Sequence, residues 1–451
     1  MLKKVILTGL TLFAAGVGGQ AEAQDNHIDT IRADAPALAP YGPHRIGVTT
    51  LNLVNPGQLD LVHAVAGAPI PVYDRPLTVE LWYPAPAATA AVQPPPADAA
   101  HYRVMTRDGK TVVTLFGKAV RDAAPDRSGG PYPLVIISHG YPGNRFLLSP
   151  LAENLASKGY VVAAIDHTDS TYDGQRAFAS TLLNRPLDQL FVLNALARLG
   201  QAPAGDSTPA ATTLRGLVDA DHTALIGYSM GGYGAINTIG GGFSASAVAS
   251  PKGVPGGVLA MRQAGNPAYV ASHDPRIKAA VVFAPWGWNY GFWDAAGLAD
   301  IRTPVFFVAG SVDDVAGYAP GVRNIYQAAV NAPRYLLTFD NANHNAGAPM
   351  PAPRETWAAV PGMATVPAEH YADAVWDSTR MNNIAAHFVT AFLGKYVKDE
   401  LAMGSYLDLV PKASDGVWSV AADGQPKPDH SYWKGFPKRT AVGLQLEHLT
   451  P

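Results

Sequence analysis

LIGYSMGGYGAIN, Leu225–Asn237, is the stretch on which the reading of this chain turns. Within it Gly227-Tyr228-Ser229-Met230-Gly231 has the form G-x-S-x-G, which alone carries little in a chain with 44 glycines. The setting carries more. An apolar, strand-like run, Ala224–Ile226, leads in, and a small-residue helical pattern, Gly232–Ile239, leads out. A serine on so sharp a strand-to-helix turn is held with its hydroxyl exposed, and the helix that starts there aims its first amides at the same point.

Outward from this turn, short β-branched runs alternate with longer helical patterns: 75–85, 132–140, 159–167, 222–229, 276–285, 303–311 and 334–342 as strands, with helices expected at Ser149–Ser157, Arg185–Leu199, Gly231–Ile239 and Ala319–Ala329. A longer helical pattern runs from about Ala368 to Val397. Several strand runs are apolar throughout, as strands covered on both faces must be. The expectation is an α/β fold with a mostly parallel central sheet and helices on both faces. Three stretches look inserted or appended: about 85–130, rich in Ala and Pro and read in part as surface loop, with a hairpin near Arg107–Lys110; about 240–274, a lid or a long excursion; and 404–451, an extension without clear period packed on the domain. The chain is read as one domain over 24–451, with a core of about 41–400.

Lys3 and Lys4, an apolar run and the small-residue site Ala21-Glu22-Ala23 mark residues 1–23 as a secretory signal peptide, cleaved after Ala23, so the mature chain is expected to be secreted or periplasmic without a stable membrane anchor. No later run reaches the length of about 18 apolar residues that a membrane span needs. The chain has no cysteine, so its stability must come from packing. A net charge of −3 with 15% charged residues gives no basic footprint for nucleic acid and favours a small, largely neutral partner.

A serine hydroxyl becomes a useful nucleophile when a base takes its proton and an acid orients the base. In this architecture both follow the serine. Of the downstream histidines, His344 stands in the loop NANHNAG after a strand; His370 and His387 fall in helical pattern, and His430 and His448 in the tail. His344 is therefore the expected base. The run VFFVAGSVDDV offers Asp313 and Asp314; adjacent turn residues point differently, so one serves while the other caps or faces water, and Asp313 is assigned. An oxyanion needs two amide donors: the N–H of Met230, after the nucleophile, and that of Tyr141 in the loop HGYPGN.

Together RPLTVELWYPA, VIISHGYPGN, VVAAIDHTDS, GYSMGG, GSVDDV and the loop around His344 resemble the α/β-hydrolases that include platelet-activating-factor-acetylhydrolase-like, dienelactone-hydrolase-like and cutinase-like bacterial esterases. The resemblance spans roughly Tyr41 to Lys395. It implies hydrolysis of a small-molecule carboxylic ester through an acyl-enzyme, with Ser229, Asp313 and His344 as triad and no cofactor. True dienelactone hydrolases use a cysteine, which this chain lacks, so that substrate does not carry over. An amidase or peptidase with the same triad, and a non-catalytic binding protein, remain the alternatives.

Three further features invite a role. Asp169–Gly174 looks like the start of a calcium loop, but its twelfth position is Ser180, and no metal site is expected. His167 reads as a hydrogen-bonded structural residue beside the site. In PWGWNYGFW, Trp286, Trp288 and Tyr290 emerge at the carboxyl end of a strand, where they either line a substrate pocket or pack beneath inserted chain.

Overall fold

The computed structural model describes residues 26–86, 99–176, 178–249, 254–255 and 257–451; the export-signal reading of residues 1–23 lies outside them. In chain order the strands are β1 (Asn26–His27), β2 (Arg45–Leu59), β3 (Val72–Ala85), β4 (Ala99–Met105), β5 (Val112–Arg121), β6 (Tyr132–Ser138), β7 (Val161–Asp166), β8 (Val218–Tyr228), β9 (Ile277–Phe283), β10 (Val305–Gly310), β11 (Arg334–Phe339) and β12 (Leu444–Leu449). They form one sheet in the order β1-β5-β2-β3-β7-β6-β8-β9-β10-β11-β12, with β4 on β5. From β7 to β11 all neighbours are parallel. β2, β3 and β12 supply antiparallel pairings at the two sides.

The central strands are apolar on both faces because both faces are covered. Along β6, Val135 and Ile137 enter one core with Leu151 and Leu155 of helix α1 (Ser149–Ser157) and Phe388 and Phe392 of the helix Ser378–Val397. Leu134 and Ile136 face the other, with Leu182, Val192 and Leu196 of helix α2 (Phe178–Gly200) and Tyr233 and Ile236 of the helix Met230–Thr238. This period of two is what a strand between helical layers requires.

The chain runs from β6 outward through α1 to β7, then returns through α2 to β8 on the other side of β6. The connections therefore diverge between β6 and β8, leaving a crevice at their carboxyl ends, where ligands bind in open parallel sheets. α2 is locked in register below that crevice. Pro186 lies inside it and has no N–H to offer the Leu182 carbonyl one turn back. The Tyr233 hydroxyl donates to that carbonyl instead, at 2.9 Å, clamping α2 to the helix that begins at Met230.

Two expectations change and two gain detail. Within 85–130 the hairpin expected near Arg107–Lys110 is present: β4 and β5 form it, with its turn at 106–111, and β5 inserts between β1 and β2. Buried Glu153 of α1 fastens it, accepting from the Lys118 and Ala119 amides at 2.8 and 3.2 Å and from Tyr102 at 2.6 Å. The helical pattern from Ala368 is interrupted, because Asp373 caps the amides of Val375 and Trp376 and Asp377 caps Arg380, so the long helix starts only at Ser378. The pattern 319–329 divides into a π-helical turn, Tyr318–Val322, and a helix, Arg323–Ala328. The tail contributes a strand, β12, and buries Trp433 against Phe388 and Phe436.

Burial also fixes the charge of three histidines, of which none is more than 1% exposed: His139, His167 and His387. Desolvation pushes His167 and His387 down to about 3 and His139 well below its ordinary range. An unfolded chain would protonate each as pH drops through about 6.5, while the folded chain resists. Stability is therefore full above that pH and falls below it, by up to about 1.4 kcal/mol per histidine per pH unit until the folded groups titrate. Urea midpoints should decline from pH 7.5 to pH 5, and His387→Gln should flatten the decline by about one proton; a midpoint that stays constant across this range contradicts the account.

Candidate active site

Ser229, between the end of β8 and the helix that starts at Met230, has φ 53° and ψ −110°, a left-handed conformation costly for a residue with a side chain, on the order of 1–3 kcal/mol. Backbone bonds hold it there: its N–H donates to the Phe283 carbonyl at 2.8 Å, and its carbonyl accepts from Tyr233 at 3.0 Å and Trp286 at 3.2 Å. The flanking glycines answer a spatial need. A Cβ on Gly227 would lie 2.3 Å from the Gly231 carbonyl oxygen, and one on Gly231 only 1.9 Å from that of Ser138. The elbow thus sits backbone to backbone against the end of β6.

The structure brings three of the expected residues together. His344 Nε2 lies 2.9 Å from Ser229 Oγ, and His344 Nδ1 lies 3.0 Å from both carboxylate oxygens of Asp313. Asp313 is buried and accepts at Oδ1 from the amides of Val315 and Ala316, each at 2.9 Å. Burial alone would raise its pKa, but the hydrogen bond and charge of His344 and these two amides hold it below the ordinary carboxylate value. Asp314 points out to solvent on the cavity rim. His387 accepts from the Leu38 amide, His430 contacts Ser419, and His448 stacks on Tyr335, all away from Ser229.

Asn345, which no sequence motif singled out, braces the loop that carries His344. It accepts from the Tyr228 hydroxyl at 2.9 Å and donates to the carbonyls of Glu369 and Ala372 at 2.9 and 2.6 Å, tying the His344 loop to the residue before the nucleophile. Its position one residue after His344 was the available signal; its partners, far away in sequence, were not visible.

Met230 is the first residue of its helix, so its N–H has no partner one turn back. Tyr141 follows Gly140, whose missing Cβ would lie 3.4 Å from the Ser229 Cβ, and the Tyr141 N–H has no acceptor among the described residues. Ser229, His344, Tyr141 and Tyr228 share a cavity of about 570 Å³ with Asp314, Val315, Trp357, Glu369, His370 and Asp373 in its wall. Among the described residues no lysine or arginine lines it, and none from 240–274 does.

None of Trp286, Trp288 and Tyr290 lines this cavity. Trp286 packs edge-on to Phe178 and Tyr233 and stacks on Tyr290 at 4.3 Å, while Trp288 lies against the core of the α2 face. Aromatic packing on Phe178 and Tyr233 holds Trp286 beside the elbow. Position 12 of the calcium-loop pattern is likewise accounted for: Ser180 donates to Asp169 at 2.7 Å, and Asp169 also pairs with Arg75.

A second serine–histidine–aspartate chain lies beneath the first. Ser138 Oγ is 2.7 Å from His167 Nε2, and His167 Nδ1 is 2.9 Å from Asp188. All three are at most 1% exposed, and Asp188 is also held by Arg75 at 2.9 and 3.0 Å. Without access to solvent, this chain binds structure together.

Residues 71–189 match the family described as platelet-activating factor acetylhydrolase, isoform II. The chain is 27% identical over 219 residues to cutinase est1 of Thermobifida alba, covering 48% of this chain and 55% of that protein. Cutinase cut1 of Thermobifida fusca gives 26% identity over 48% of this chain and 51% of its own length. A platelet-activating factor acetylhydrolase of Canis lupus familiaris is 39% identical over 66 residues, 14% of this chain and 15% of that protein. The chain spans about half the length of the cutinases it matches. A ferulic acid esterase from Streptomyces cinnamoneus superimposes with a TM-score of 0.54 at 22% identity, over 81% of this chain and 94% of that one. The fold is that of the α/β-hydrolases, and over part of its length the chain is similar to cutinases and platelet-activating factor acetylhydrolases.

The close approach of the elbow to β6 has a direct test. Gly231→Ala should cost about 3 kcal/mol in thermal or urea unfolding, at the upper end of overpacking penalties, since backbone must move on one side or the other. Gly205→Ala, where a Cβ meets nothing within 4 Å, is the control and should leave stability near wild type. Equal stability of the two variants contradicts the packing described.

Proposed function

We propose that this chain is a serine carboxylic ester hydrolase acting through an acyl-enzyme on a small, neutral or lipophilic ester. The observation that carries the reading is the 2.9 Å contact between Ser229 Oγ and His344 Nε2, with Asp313 on the far side of the same ring. Asp313 favours the tautomer with the proton on Nδ1, leaving the Nε2 lone pair for the serine. In the proposed reaction Ser229 Oγ bonds to the acyl carbon as its proton passes to His344 Nε2. The carbonyl oxygen takes the negative charge and accepts from the Met230 and Tyr141 amides. Collapse breaks the bond to the alcohol oxygen, which leaves with the proton from His344. Water, deprotonated by the same imidazole, then releases the acid and restores Ser229.

The cavity wall supports the substrate class. Its ionisable side chains other than histidine and tyrosine are the carboxylates Asp314, Glu369 and Asp373, so an anionic substrate would meet repulsion without a compensating cation. Val315 and Trp357, the latter 59% exposed, give the mouth an apolar edge. The names of the similar cutinases and of the ferulic acid esterase accord with ester hydrolysis.

Release of p-nitrophenol from neutral acyl esters should be readily measured for wild type and fall at least about 10,000-fold in Ser229→Ala. Asp313→Asn should also lose about 10,000-fold in kcat, whereas Asp314→Asn should stay within a few-fold. Absence of ester turnover by folded wild type would sink the proposal, and amide turnover exceeding ester turnover would move the chain to the amidases. An Asp314→Asn loss matching that of Asp313→Asn would overturn the assignment of the acid.

A further inference from the structure

A buried cation lies behind the loop that presents Tyr141. Arg185, on α2, is 1% exposed and directs its donors at the backbone of that loop. Nη1 donates to the His139 carbonyl, and Nη2 donates to the Gly140 carbonyl at 2.9 Å and to Ser170 Oγ at 2.7 Å. Asp188, the acid one turn further along α2, is already taken by Arg75 and His167, so backbone carbonyls and Ser170 are the main hydrogen-bond acceptors of the Arg185 guanidinium.

The consequence follows from peptide geometry. The Gly140–Tyr141 peptide is trans, and in a trans peptide the C=O and the following N–H point in opposite directions. A guanidinium that holds the Gly140 carbonyl on the α2 side therefore turns the Tyr141 N–H to the opposite side. That is the side of the cavity, which Tyr141 lines together with Ser229. A cation on the carbonyl also polarises the amide, making its N–H a stronger donor. We propose that Arg185 is a positioning residue of the oxyanion site, setting the direction and strength of the Tyr141 amide from behind without touching substrate.

α2 is suited to this because it also holds the other donor. Gln189 donates to the Gly231 carbonyl at 3.3 Å, Tyr233 is bound to Leu182, and a Cβ on Gly234 would lie 2.9 Å from the Arg185 Cβ. One helix thus sets the Met230 amide, through the elbow helix, and the Tyr141 amide, through Arg185. Lysine at 185 would keep the charge but lose the planar fork that reaches several acceptors at once.

The inference rests on the esterase reading, and the experiment separates the two. Wild type, Arg185→Lys and Arg185→Met are compared for kcat and KM on a neutral p-nitrophenyl ester, and for binding of an alkyl trifluoromethyl ketone and of the matching unreactive ether. The ketone adds to Ser229 and places an oxyanion in the site; the ether reports ground-state binding alone. Arg185→Met should lose about 100- to 1,000-fold in kcat, and ketone affinity should fall by a similar factor, with KM and ether affinity within about threefold. Arg185→Lys should lose less, at least about tenfold, in the same pattern; it keeps the buried charge and carries the test alone if Arg185→Met fails to fold. Wild-type kcat in folded Arg185→Lys, or ketone and ether affinities that fall together, overturns the inference. A folded wild type without ester turnover overturns the reading beneath it instead.

Discussion

The nucleophile turn can exist only because nothing but backbone separates it from the neighbouring strand. A Cβ at Gly231 would stand 1.9 Å from the Ser138 carbonyl oxygen, so the start of the elbow helix and the end of β6 share a space without side chains. From that contact the rest of the site takes its dimensions. The loop leaving β6 passes beside Ser229, the helix leaving the elbow packs on α2, and α2 reaches back to the same loop through Arg185. Each amide that the proposed reaction would offer to an oxyanion is thereby fixed by elements that are themselves in mutual contact, which is how preorganised donors avoid reorganising during reaction.

Two serine–histidine–aspartate chains of the same connectivity lie on neighbouring strand ends, and their surroundings divide them. Ser229 and His344 open onto a cavity, and among the described residues Asp313 serves His344 and two amides alone. Ser138 and His167 are sealed, and Asp188 is shared with Arg75. Desolvation keeps His167 neutral, and the nearby Arg185 charge adds to that effect, so the inner imidazole is poorly suited to carry a proton. The two share connectivity, and access and an undivided acid are what single out the Ser229 chain for the proposed reaction.

Local pattern carried much of this into the sequence. Apolar runs flanked by breakers marked the central strands, and the order serine, acid, histidine put Ser229, Asp313 and His344 after the runs that became β8, β10 and β11. β2 escaped because its second half, Asn52–Leu59, alternates weakly and carries Asn-Pro-Gly, while β12 owes its conformation to pairing with β11 more than to its own pattern. Arg185 and Asn345 could not be recognised, since their roles depend on partners far off in the chain. The rings of Trp286 and Tyr290 were placed correctly at a strand end, but Phe178 and Tyr233, from two other helices, draw Trp286 aside from the cavity.

The pairing of β11 with β12 reaches further than the sheet edge. Gln445 donates to Asp340 at 2.6 Å, and the Asp340 amide donates to the Gly443 carbonyl at 2.8 Å, so the segment around β12 grips the stalk of the loop that carries His344. Roughly a hundred residues separate the two strands, and closing so large a loop is entropically slow. During synthesis, β11 emerges with one edge bare and must await a partner that the ribosome has not yet made. The loop that carries His344, the base in the proposed reaction, is thus braced by a strand translated long after it, and until that strand arrives the bare edge of β11 is open to edge-to-edge pairing.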